Sequence, residues 1–453
     1  MYIVLLSGGS GKRLWPLSND LRSKQYIKLV NDEEDTKEKC SMIQRVWKQL
    51  EKSGLASHSI ITASKGQVEI IKSQLGNVDI AVEPNRRDTF PAVAISCAYI
   101  KSVMGAKKDD VVAVLPVDPY TEDAYFETVK HLEKILTVSD AEIALMGAEP
   151  TYPSEKYGYI IPGKQGKEYI EVKGFVEKPD KERAKKLLDE HAIWNCGVFC
   201  FRLGLMEEKA EAYGLKLDYH EMFNHYDKLP KISFDYEVLE KSEHLVAASF
   251  KGLWKDLGTW NTLTEEMGSD SIGNTIMDKQ CENTQVINEL DIPVVTMGTK
   301  NMVVVAAYDG ILVADKNQSS YIKDVTAELH MAPMYEERRW GTLKSIDRNS
   351  KDGEFTLTRK IKIFKGKSSS YHYHEHRIEI FTALSGEAEM ILEGVKITLT
   401  QGSAICIQAN QKHAIQAITE FEYLETQVGA AVGNDDITRI TFNWDEIPVA
   451  VLN

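Results

Sequence analysis

The stretch LSGGSGKRLWPL, residues Leu6–Leu17, decides the fold, because it directly follows the apolar run Tyr2–Leu6. The apolar run predicts a buried β-strand, and the glycines predict a turn in which backbone N–H groups approach phosphate oxygens without an intervening Cβ. The spacing matches neither the P-loop nor the dinucleotide-binding motif GxGxxG. We therefore predict a phosphate-binding loop after the first strand. The nucleotide-binding residues predicted in it are Ser7, Gly8, Gly9 and Gly11, with Arg13 as a fixed cation.

Short apolar runs alternate with helical stretches in the first part of the chain. The runs predicted as further strands are Ser59–Thr62, Asp79–Val82, Val111–Leu115 and Ala141–Met146. The stretch Thr89–Met104 has helical periodicity. This alternation predicts an α/β, Rossmann-like domain whose mixed, mostly parallel sheet carries helices on both faces. Because ligands bind at the carboxyl ends of the strands in such sheets, we expect the residues after Leu6, Leu115 and Phe175 to share one cleft.

The pattern changes near Ser271, where short strands punctuated by Pro293 and glycines replace the alternation. The runs predicted as strands there are Val294–Met297, Met302–Ala307 and Ile311–Ala314. A polar stretch that ends at Trp340 predicts a partly helical connector, and regular short strands from Phe355 to Phe442 predict a barrel or a sandwich. We therefore predict a catalytic domain at residues 1–270, a short β segment with its connector at 271–340, and a β domain at 341–453.

Composition and charge exclude several classes of protein. The chain has 453 residues, 54 Lys and Arg against 68 Asp and Glu, and a formal net charge of −14. This length predicts more than one domain, and the acidic balance without a basic patch argues against a nucleic-acid partner. No apolar run is long enough to span a membrane, and Tyr2–Leu6 is too short for a signal peptide. The six scattered cysteines lack a CxxC motif and predict reduced thiols. We expect a cytoplasmic homo-oligomer, most simply a dimer, without a membrane partner.

The glycine-rich loop and the residues after it resemble a known signature. The pattern Gly8-Gly9-x-Gly11-x-Arg13-Leu14-Trp15-Pro16-Leu17-Ser18 with Lys24-Gln25 is similar to that of mannose-1-phosphate guanylyltransferases, a branch of the sugar-nucleotide pyrophosphorylases. Ser23 stands where this family has Pro. The resemblance implies that Arg13 and Lys24 hold a nucleoside triphosphate, which in this family is GTP, and that the second substrate is a sugar 1-phosphate.

A second segment is similar to the base-binding segment of that family. It is Glu83-Pro84-x-x-Arg87-x-Thr89-x-Pro91-Ala92, with Asp88 and Phe90 where the family has Asn and Ala. A Glu can accept hydrogen bonds from N1 and N2 of guanine, a pair of donors that the other bases do not present in that arrangement. The nucleotide contacts implied by the resemblance are those of Glu83, Pro84, Arg87 and Thr89. Asp88 can also cap the helix that follows.

Two aspartates are expected to hold a magnesium ion. Asp118 follows a buried strand, where a carboxylate is costly unless it has a task such as binding a cation. Asp256, in WKDLGTW at residues 254–260, resembles the second metal-binding Asp of the family. Pro119-Tyr120 replaces the His-containing pair that usually follows the first Asp. The resemblance implies that Asp118 and Asp256 bind the Mg²⁺ that bridges the phosphates.

Four further segments are similar to the sugar site of the family. They are Tyr157–Ile160, Phe175–Pro179, Trp194–Gly197 and Phe234–Lys241. The sugar-binding residues implied in them are Gly158, Tyr159, Glu177, Asn195 and Asp235, and Lys178 is implied to pair with the sugar phosphate. The predicted reaction is an in-line attack of mannose 1-phosphate on the α-phosphate of GTP. It gives GDP-mannose and pyrophosphate through positioning and charge neutralisation alone.

The C-terminal part carries the spacing of a cupin, a small β-barrel that often holds a metal. Gly366-x5-His372-x-His374-x4-Glu379-x6-Gly386 fits the first cupin motif, and Gly402 with His413 fits the second, although Gln408 and Asn410 replace its usual Pro and Gly. Two residues that are two apart on a strand point to the same face, so His372 and His374 are expected to point into the barrel. The ligand set His372, His374, Glu379 and His413 suits a divalent transition metal such as Zn²⁺.

Three alternatives to a simple guanylyltransferase stay open. The segment HYHEHRIEIF at residues 372–381 resembles a phosphomannose isomerase domain, with Ile380-Phe381 in place of a His-Trp pair, and Arg439 stands where that domain has a catalytic Arg. The chain can therefore be a bifunctional enzyme that also interconverts mannose 6-phosphate and fructose 6-phosphate. It can also use another sugar 1-phosphate, or act as a non-catalytic sensor of sugar nucleotides. The presence of Arg13 and Lys24 argues against the sensor.

Overall fold

A computed structural model describes residues 1–9, 12–32, 38–329, 332–434 and 436–449. The strands of the N-terminal domain are β1 (Tyr2–Leu6), β2 (Val30–Asn31), β3 (Lys39–Cys40), β4 (Ser59–Ser64), β5 (Asp79–Glu83), β6 (Val111–Pro116), β7 (Pro119–Thr121), β8 (Ile143–Ala148), β9 (Tyr159–Gln165), β10 (Ile170–Val176), β11 (Ile193–Arg202), β12 (Leu245–Phe250) and β13 (Trp254–Asp256). Its helices are α1 (Met42–Lys52), α2 (Val68–Leu75), α3 (Thr89–Ser102), α4 (Ala124–Ser139), α5 (Lys181–Asp189), α6 (Leu203–Ala212), α7 (Tyr219–Asn224), α8 (Phe234–Glu237) and α9 (Trp260–Glu266).

A nine-stranded sheet in the order β5-β4-β1-β6-β11-β8-β12-β10-β9 organises this domain. Four of its strand pairs are parallel and five are antiparallel. The sheet is mixed, as predicted, but the expectation that it is mostly parallel is wrong. Strands β9 and β10 form an antiparallel pair, and β11 runs back between β6 and β8. Because β11 also pairs with β9, strands β8 to β12 close into a ring.

Helices cover both faces of the sheet, and each face has its own apolar core. On β1, Val4 packs into one core, and Ile3 and Leu5 pack into the other. This alternation is expected of a strand that is buried on both sides. Helix α3 begins at Thr89, whose N–H donates to the side chain of the cap residue Asp88 at 2.7 Å. The predicted strands and the helix of this region are therefore confirmed within two residues at their ends.

The β segment after residue 270 stacks its strands in parallel. Its elements are β14 (Ser271–Ile272), β15 (Thr275–Met277), β16 (Gln285–Asn288), β17 (Val294–Thr296), β18 (Met302–Ala307), β19 (Gly310–Asp315) and the helix α10 (Ile322–Val325). Strands β14, β16 and β18 are parallel neighbours, β19 runs antiparallel along the edge, and β15 pairs with β17. Ile287, Val303 and Val305 pack with Leu17 and Trp260 of the N-terminal domain in one apolar cluster, so the segment supports the residues that follow the glycine-rich loop.

A buried ion pair joins three parts of the chain. Arg22, whose side chain is 8% exposed, donates from Nη1 and Nη2 to Glu289 of the β segment at 2.9 and 2.8 Å. The guanidinium also lies 4.9 Å from the ring centroid of Tyr335, at the end of the connector. Nearby, Asn19 donates to Asp309 at 2.7 Å. We call Arg22, Glu289 and Tyr335 the three-part junction.

The C-terminal strands form two sheets with one shared apolar core. They are β20 (Tyr335–Arg338), β21 (Gly341–Lys351), β22 (Glu354–Ile363), β23 (Tyr371–Tyr373), β24 (Arg377–Ser385), β25 (Ala388–Leu392), β26 (Val395–Leu399), β27 (Ala404–Ile407), β28 (His413–Ala417), β29 (Phe421–Gly429) and β30 (Thr438–Thr441). The orders are β20-β21-β22-β29-β24-β27 and β26-β25-β28-β23-β30. The predicted closed barrel is not confirmed, because the hydrogen-bonded ring lies in the N-terminal domain. Strand β20, within the predicted connector, belongs to the first of these sheets.

Two expectations from composition can be compared with the described residues. All six cysteines lie among them, and no pair forms a disulfide. No helix in the described part of the chain combines the length and the apolar character that crossing a membrane requires.

Candidate active site

A cavity of about 560 Å³ opens at the carboxyl ends of the central strands of the N-terminal domain. The predicted site residues that line it are Gly8, Gly9, Glu83, Arg87, Thr89, Asp118, Gly158, Glu177, Lys178, Asn195, Asp235 and Asp256. They come from more than six separate stretches of sequence. The expectation that the residues after Leu6, Leu115 and Phe175 share one cleft is therefore confirmed.

Buried hydrogen bonds fix the start of the glycine-rich loop. The hydroxyl of Ser7 lies 2.6 Å from that of Tyr26, and the amide of Gln25 donates to the Ser7 carbonyl at 2.6 Å. Ser7 is fully buried and does not line the cavity. Its side chain therefore positions the loop and does not meet a phosphate, while Gly8 and Gly9 present backbone to the cavity.

Ser23 connects the loop to a neighbouring turn. Its hydroxyl donates to the carbonyl of Gly9 at 2.9 Å and accepts from Nε2 of Gln67 at 2.8 Å. Gly9 has a φ of 106°, a conformation that side chains disfavour. A proline at position 23, the residue expected from the family, has no hydroxyl with which to make either contact. Gly11 lies outside the described residues, so its predicted nucleotide contact stays a prediction.

Two carboxylates that line the cavity contact Lys24, a predicted catalytic residue that does not itself line it. Nζ of Lys24 lies 2.5 Å from Oδ2 of Asp118 and 3.3 Å from Oδ1 of Asp256. Burial alone would lower the pKa of Lys24, but the two carboxylates outweigh it and raise that pKa above its ordinary value. Gly258 leaves room for Asp256, because a Cβ there would lie 2.9 Å from Oδ1. The two carboxylates converge on a cation, which is the ligand chemistry that Mg²⁺ requires.

The expected base-binding residues form one corner of the cavity. Glu83 is buried and accepts a hydrogen bond from the Tyr226 hydroxyl at 2.6 Å. Burial raises the pKa of Glu83, although the hydrogen bond from Tyr226 opposes this. Nε of Arg87 donates to the Leu229 carbonyl at 3.1 Å, and Thr89 also lines the cavity. Pro84 does not line it, so only its neighbours are in place to contact a base.

A second corner of the cavity gathers acidic and amide groups around Gly158. Glu177 and Lys178 form an ion pair at 2.5 Å, and Nδ2 of Asn195 donates to Oδ1 of Asp235 at 3.2 Å. A Cβ at Gly158 would lie 2.5 Å from a carboxylate oxygen of Glu177, so only glycine fits there. Groups that both donate and accept hydrogen bonds are suited to bind the hydroxyls of a sugar.

Asp235 gives this corner a pH dependence. Burial, followed by the negative charge of Glu177, raises the pKa of Asp235 to about 7. In the unfolded chain an Asp has a pKa of about 4. The stability contributed by the protonated Asp235 carboxyl is therefore complete below pH of about 4 and is lost as the pH rises through about 7. We expect Asp235→Asn to raise the urea-unfolding midpoint above the wild-type value at mildly alkaline pH, and the difference to shrink at acidic pH.

The control for this measurement is Asp227→Asn, because Asp227 is exposed and lies outside the cavity. Its midpoint should differ from the wild-type midpoint by the same small amount at every pH. A difference for Asp235→Asn that also stays constant with pH would contradict the raised pKa.

A second candidate centre lies in the C-terminal domain, where His372, His374 and His413 come together. One nitrogen of each lies within 4.8 Å of the others, and His372 pairs with His413 across neighbouring strands. Glu379 completes the group, with carboxylate oxygens 3.1 Å from Nε2 of His374 and 3.2 Å from Nε2 of His413. His374, His413 and Glu379 are each at most 3% exposed. The structure thus brings together all four predicted ligands.

The hydrogen bonds of the three imidazoles fix the tautomer of each ring, and Nε2 of His374 also accepts from Nη2 of Arg377 at 3.1 Å. In each ring Nδ1 lies against a backbone carbonyl: His372 against Ser370 at 2.7 Å, His413 against Gln411 at 3.0 Å, and His374 against Asp436. A carbonyl can only accept, so each Nδ1 carries the proton and each Nε2 carries a lone pair. Such backbone contacts are typical of histidines that bind a metal.

Two buried atoms of the centre lack a partner. Within the described residues, Nε2 of His413 and Oε2 of Glu379 make no well-formed hydrogen bond. Burial, together with His413 and His374, lowers the pKa of His372 well below its ordinary value, which keeps the ring neutral. Neutral imidazoles and an unsatisfied carboxylate oxygen fit a divalent transition metal, because a metal supplies the missing partner.

Comparison with known proteins identifies the family to which the larger part of the chain belongs. Residues 2–271, more than half of the sequence, match the family model described as nucleotidyl transferase. The chain belongs to the nucleotidyl transferase family. Residues 323–442 match the model described as the C-terminal part of mannose-6-phosphate isomerase. The nucleotidyl transferase domain therefore contains the whole first cavity, and the second match contains the histidine centre.

Named relatives of this nucleotidyl transferase match along nearly its whole length. The xanthan biosynthesis protein XanB of Xanthomonas campestris pv. campestris (strain B100) is 29% identical over 474 aligned residues, which cover 96% of this chain and 97% of that protein. A mannose-1-phosphate guanylyltransferase of Escherichia coli (strain K12) is 27% identical, with 99% of both chains covered. A crystal structure from Thermus thermophilus, described as a mannose-1-phosphate geranyltransferase, is 26% identical with a TM-score of 0.61 and covers 73% of this chain and 99% of that chain.

Two predicted site residues of the nucleotidyl transferase domain, Arg13 and Tyr159, do not lie at the cavity. Arg13 has an exposed side chain and does not line the cavity, so its contact with the triphosphate stays a prediction. Tyr159 is fully buried, and its hydroxyl bonds the backbone of Ser154 at 2.8 and 3.0 Å. It therefore holds the loop before Gly158 and does not meet a sugar. Its expected direct role in sugar binding is corrected accordingly.

The sequence also missed residues that line the nucleotidyl transferase cavity. Tyr157 and Trp254 pack edge to face, with ring centroids 5.3 Å apart, and both reach the cavity. Both lie within segments that were singled out for their neighbours Gly158 and Asp256. Aromatic residues at these positions were a usable signal, because a sugar ring packs well against an aromatic face.

Proposed function

We propose that this nucleotidyl transferase transfers GMP from GTP to mannose 1-phosphate, releasing pyrophosphate and forming GDP-mannose. The observation that carries the proposal is the meeting of three groups in one cavity. These are the backbone of Gly8 and Gly9, the carboxylates of Asp118 and Asp256, and the hydroxyl-binding corner at Glu177. Lys24 contacts both carboxylates from outside the set of residues that line the cavity. Relatives named as mannose-1-phosphate guanylyltransferases support the choice of base and sugar.

The residues divide the work of an in-line displacement. Gly8 and Gly9 hold phosphate oxygens through backbone N–H groups, and Lys24 neutralises charge on the triphosphate. Lys178 holds the phosphate of the sugar so that its oxygen faces the α-phosphorus. The new bond forms between that oxygen and phosphorus while the bond to pyrophosphate breaks. No side chain is needed as a covalent nucleophile.

The sugar and the base are fixed by the two corners of the cavity. Glu177, Asn195 and Asp235 bind sugar hydroxyls, and Glu83 with Arg87 binds the guanine nucleotide. Asp118 and Asp256 would hold Mg²⁺, which when bound stabilises negative charge on the phosphates. Lys24 contacts both carboxylates and offsets part of their negative charge.

The proposal is tested by pyrophosphate release with Mg²⁺. Each of the four nucleoside triphosphates is combined with mannose 1-phosphate and with glucose 1-phosphate. We expect release with GTP and mannose 1-phosphate at a rate well above that of the other pairs. Faster release with another pair would assign another base or another sugar 1-phosphate to the same cavity. Binding of GDP-mannose without release from any pair would favour the non-catalytic sensor.

We propose, as a second function, a metal-dependent isomerase in the cupin-like C-terminal domain. The observation that favours it is the cluster of three imidazoles, with one nitrogen of each within 4.8 Å of the others, and the Glu379 carboxylate beside them, a ligand set suited to Zn²⁺ or a similar ion. Such an ion, when bound, polarises a carbonyl or hydroxyl oxygen of a sugar phosphate. Conversion of fructose 6-phosphate to mannose 6-phosphate by the metal-loaded chain tests this function directly.

The histidine centre makes a prediction that does not depend on activity. His372→Ala and His413→Ala should each weaken metal binding by more than about 100-fold, because each removes one of four direct ligands and the loss of an outer-shell partner alone costs about 10-fold to 100-fold. The measurement is the metal content per chain after dialysis against a weak chelator. His225→Ala is the control, because His225 is exposed and far from the centre in sequence. Equal metal content in all four proteins would contradict the assignment.

The organisation proposed for the working enzyme follows the three parts of the chain. Residues 1–270 carry the transfer reaction, 271–340 support it, and 341–453 carry the metal centre. We further propose that the enzyme is a cytoplasmic homo-oligomer, most simply a dimer. Light scattering at several protein concentrations measures its mass, and a mass of one chain at all of them would contradict this.

A further inference from the structure

The histidine centre lies in a cavity of about 550 Å³ whose wall comes from two domains. The C-terminal domain contributes Arg338, Arg339 and Arg439 in addition to three of the candidate metal ligands, His372, Glu379 and His413. The nucleotidyl transferase domain contributes Lys65 and Glu69, from the turn before α2 and from α2 itself. The second cavity is therefore completed by residues of a domain that the metal centre does not belong to.

The strand register places one of these cations beside the metal ligands. Arg439 on β30 pairs directly with His372 on β23, and His372 pairs with His413 on its other side. Residues directly opposite each other on neighbouring strands point to the same face of the sheet. Arg439 and the candidate metal ligands therefore face the same cavity.

Contacts between the domains hold α2 over this cavity. Glu337 on β20 accepts from Ser73 of α2 at 2.8 Å. Nε of Arg339 lies 3.7 Å from a carboxylate oxygen of Glu69, and its guanidinium lies 5.2 Å from the ring centroid of Phe442. These contacts hold α2, and the turn before it that carries Lys65, against the C-terminal domain. The position of Lys65 at the cavity therefore depends on the contact between the two domains.

The cavity carries more positive charge than it neutralises. Glu69 is the partner of Arg339, but among the residues described no carboxylate lies within ion-pair distance of Arg439 or Lys65. Burial, together with the charges of Arg338 and Arg339, lowers the pKa of Arg439. Arg338 is paired with Glu336, so among the described residues of this cavity Arg439 and Lys65 are the cations left without a carboxylate partner. Two such cations beside two paired arginines, in a chain of net charge −14, indicate a place for an anion.

We propose that this cavity is a two-domain binding site in which Lys65 acts together with Arg338, Arg339 and Arg439 to bind the phosphate of a phosphorylated ligand. Arginine and lysine donors on several sides of a dianion form strong charge-assisted hydrogen bonds. The oxygens of the rest of the ligand lie toward the histidine centre. The sugar nature of that part rests on the proposed isomerase function, whereas the phosphate and the role of Lys65 rest on the charges of the cavity.

The test measures binding of fructose 6-phosphate to the Zn²⁺-loaded full chain by calorimetry. Saturating GDP-mannose with Mg²⁺ is present to fill the first cavity. Lys65→Met should weaken binding about 10-fold, the effect of one lost charge-assisted hydrogen bond, and Lys65→Arg should restore most of it. Lys72→Met is the matched control, because Lys72 is an exposed lysine of α2 that lines neither cavity.

The outcomes separate this proposal from the isomerase function. If the wild type binds and Lys65→Met binds equally well, the two-domain site is overturned and the isomerase function stands. If Lys65→Met and Lys72→Met weaken binding alike, the effect belongs to general surface charge and the proposal is also overturned. If the wild type does not bind fructose 6-phosphate, both fail together, and pyrophosphate release still tests the transfer reaction independently.

Discussion

Asp256→Asn should reduce pyrophosphate release by about 100-fold to 1,000-fold, because it removes one of two carboxylates that converge on the cation position. Asparagine keeps the shape of the side chain but carries no charge, so the loss reports electrostatics and not packing. Lys24 keeps its contact with Asp118 in this variant, which limits the structural damage. The measurement is the initial rate of release with saturating substrates and increasing Mg²⁺.

The dependence on Mg²⁺ separates a metal ligand from a structural residue. A weakened ligand set requires a higher Mg²⁺ concentration for half-maximal rate, whereas a misfolded variant loses rate at every concentration. Asp118→Asn should behave in the same way as Asp256→Asn. Asp227→Asn, an exposed aspartate outside the cavity, should match the wild type. A normal rate and a normal Mg²⁺ requirement in Asp256→Asn would refute the magnesium site.

Breaking the three-part junction should cost the chain about 3 kcal/mol of stability. Glu289→Gln leaves the guanidinium of Arg22 buried without its carboxylate, and an unpaired buried charge is strongly destabilising. Arg22→Met should cost less, because the Glu289 side chain that it leaves unpaired is 26% exposed and water can solvate it. The double variant Arg22→Met with Glu289→Leu should lose less than the sum of the two single losses, since neither charge is then left alone.

Urea unfolding followed by fluorescence measures these losses. The control is Arg183→Met, which removes an ion pair of similar length, 2.6 Å to Glu190, between two exposed side chains. Solvent screens that pair, so its loss should cost only about 0.5 kcal/mol. Equal losses for Glu289→Gln and Arg183→Met would show that the junction contributes no more than a surface contact.

Local signals in the sequence predicted much of the site. Two of these signals involve adjacent residues: an apolar run followed by the glycine-rich loop, and a buried strand followed by Asp118. The loop and Asp118 both lie at the cavity. The histidine spacing followed from the two-residue period of a strand, and the four ligands meet as expected. His372 and His374 are held by one strand or its immediate end, whereas Glu379 and His413 lie on β24 and β28 and were predictable from the spacing of the two cupin motifs.

Features that depend on distant residues could not be predicted in the same way. The ring closed by β9 and β11 depends on the direction in which strands return. A strand such as β11, buried along most of its length, has the same continuous apolar run whether its neighbours are parallel or antiparallel. Arg22 and Glu289 are 267 residues apart, and neither has a neighbour pattern that indicates burial. The contact of Lys24 with both aspartates arises only when three separate segments are folded together.

The three-part junction also bears on how such a chain can be assembled from modules. A fold boundary near residue 270 suggests that the nucleotidyl transferase domain could be inherited or engineered as an independent unit. Arg22, however, lies two residues before Lys24 and has its counter-charge beyond that boundary. A gene fusion or fission at this point must therefore replace the counter-charge of Arg22 as well as the buried contact surface, because the ion pair extends beyond the boundary of the domain.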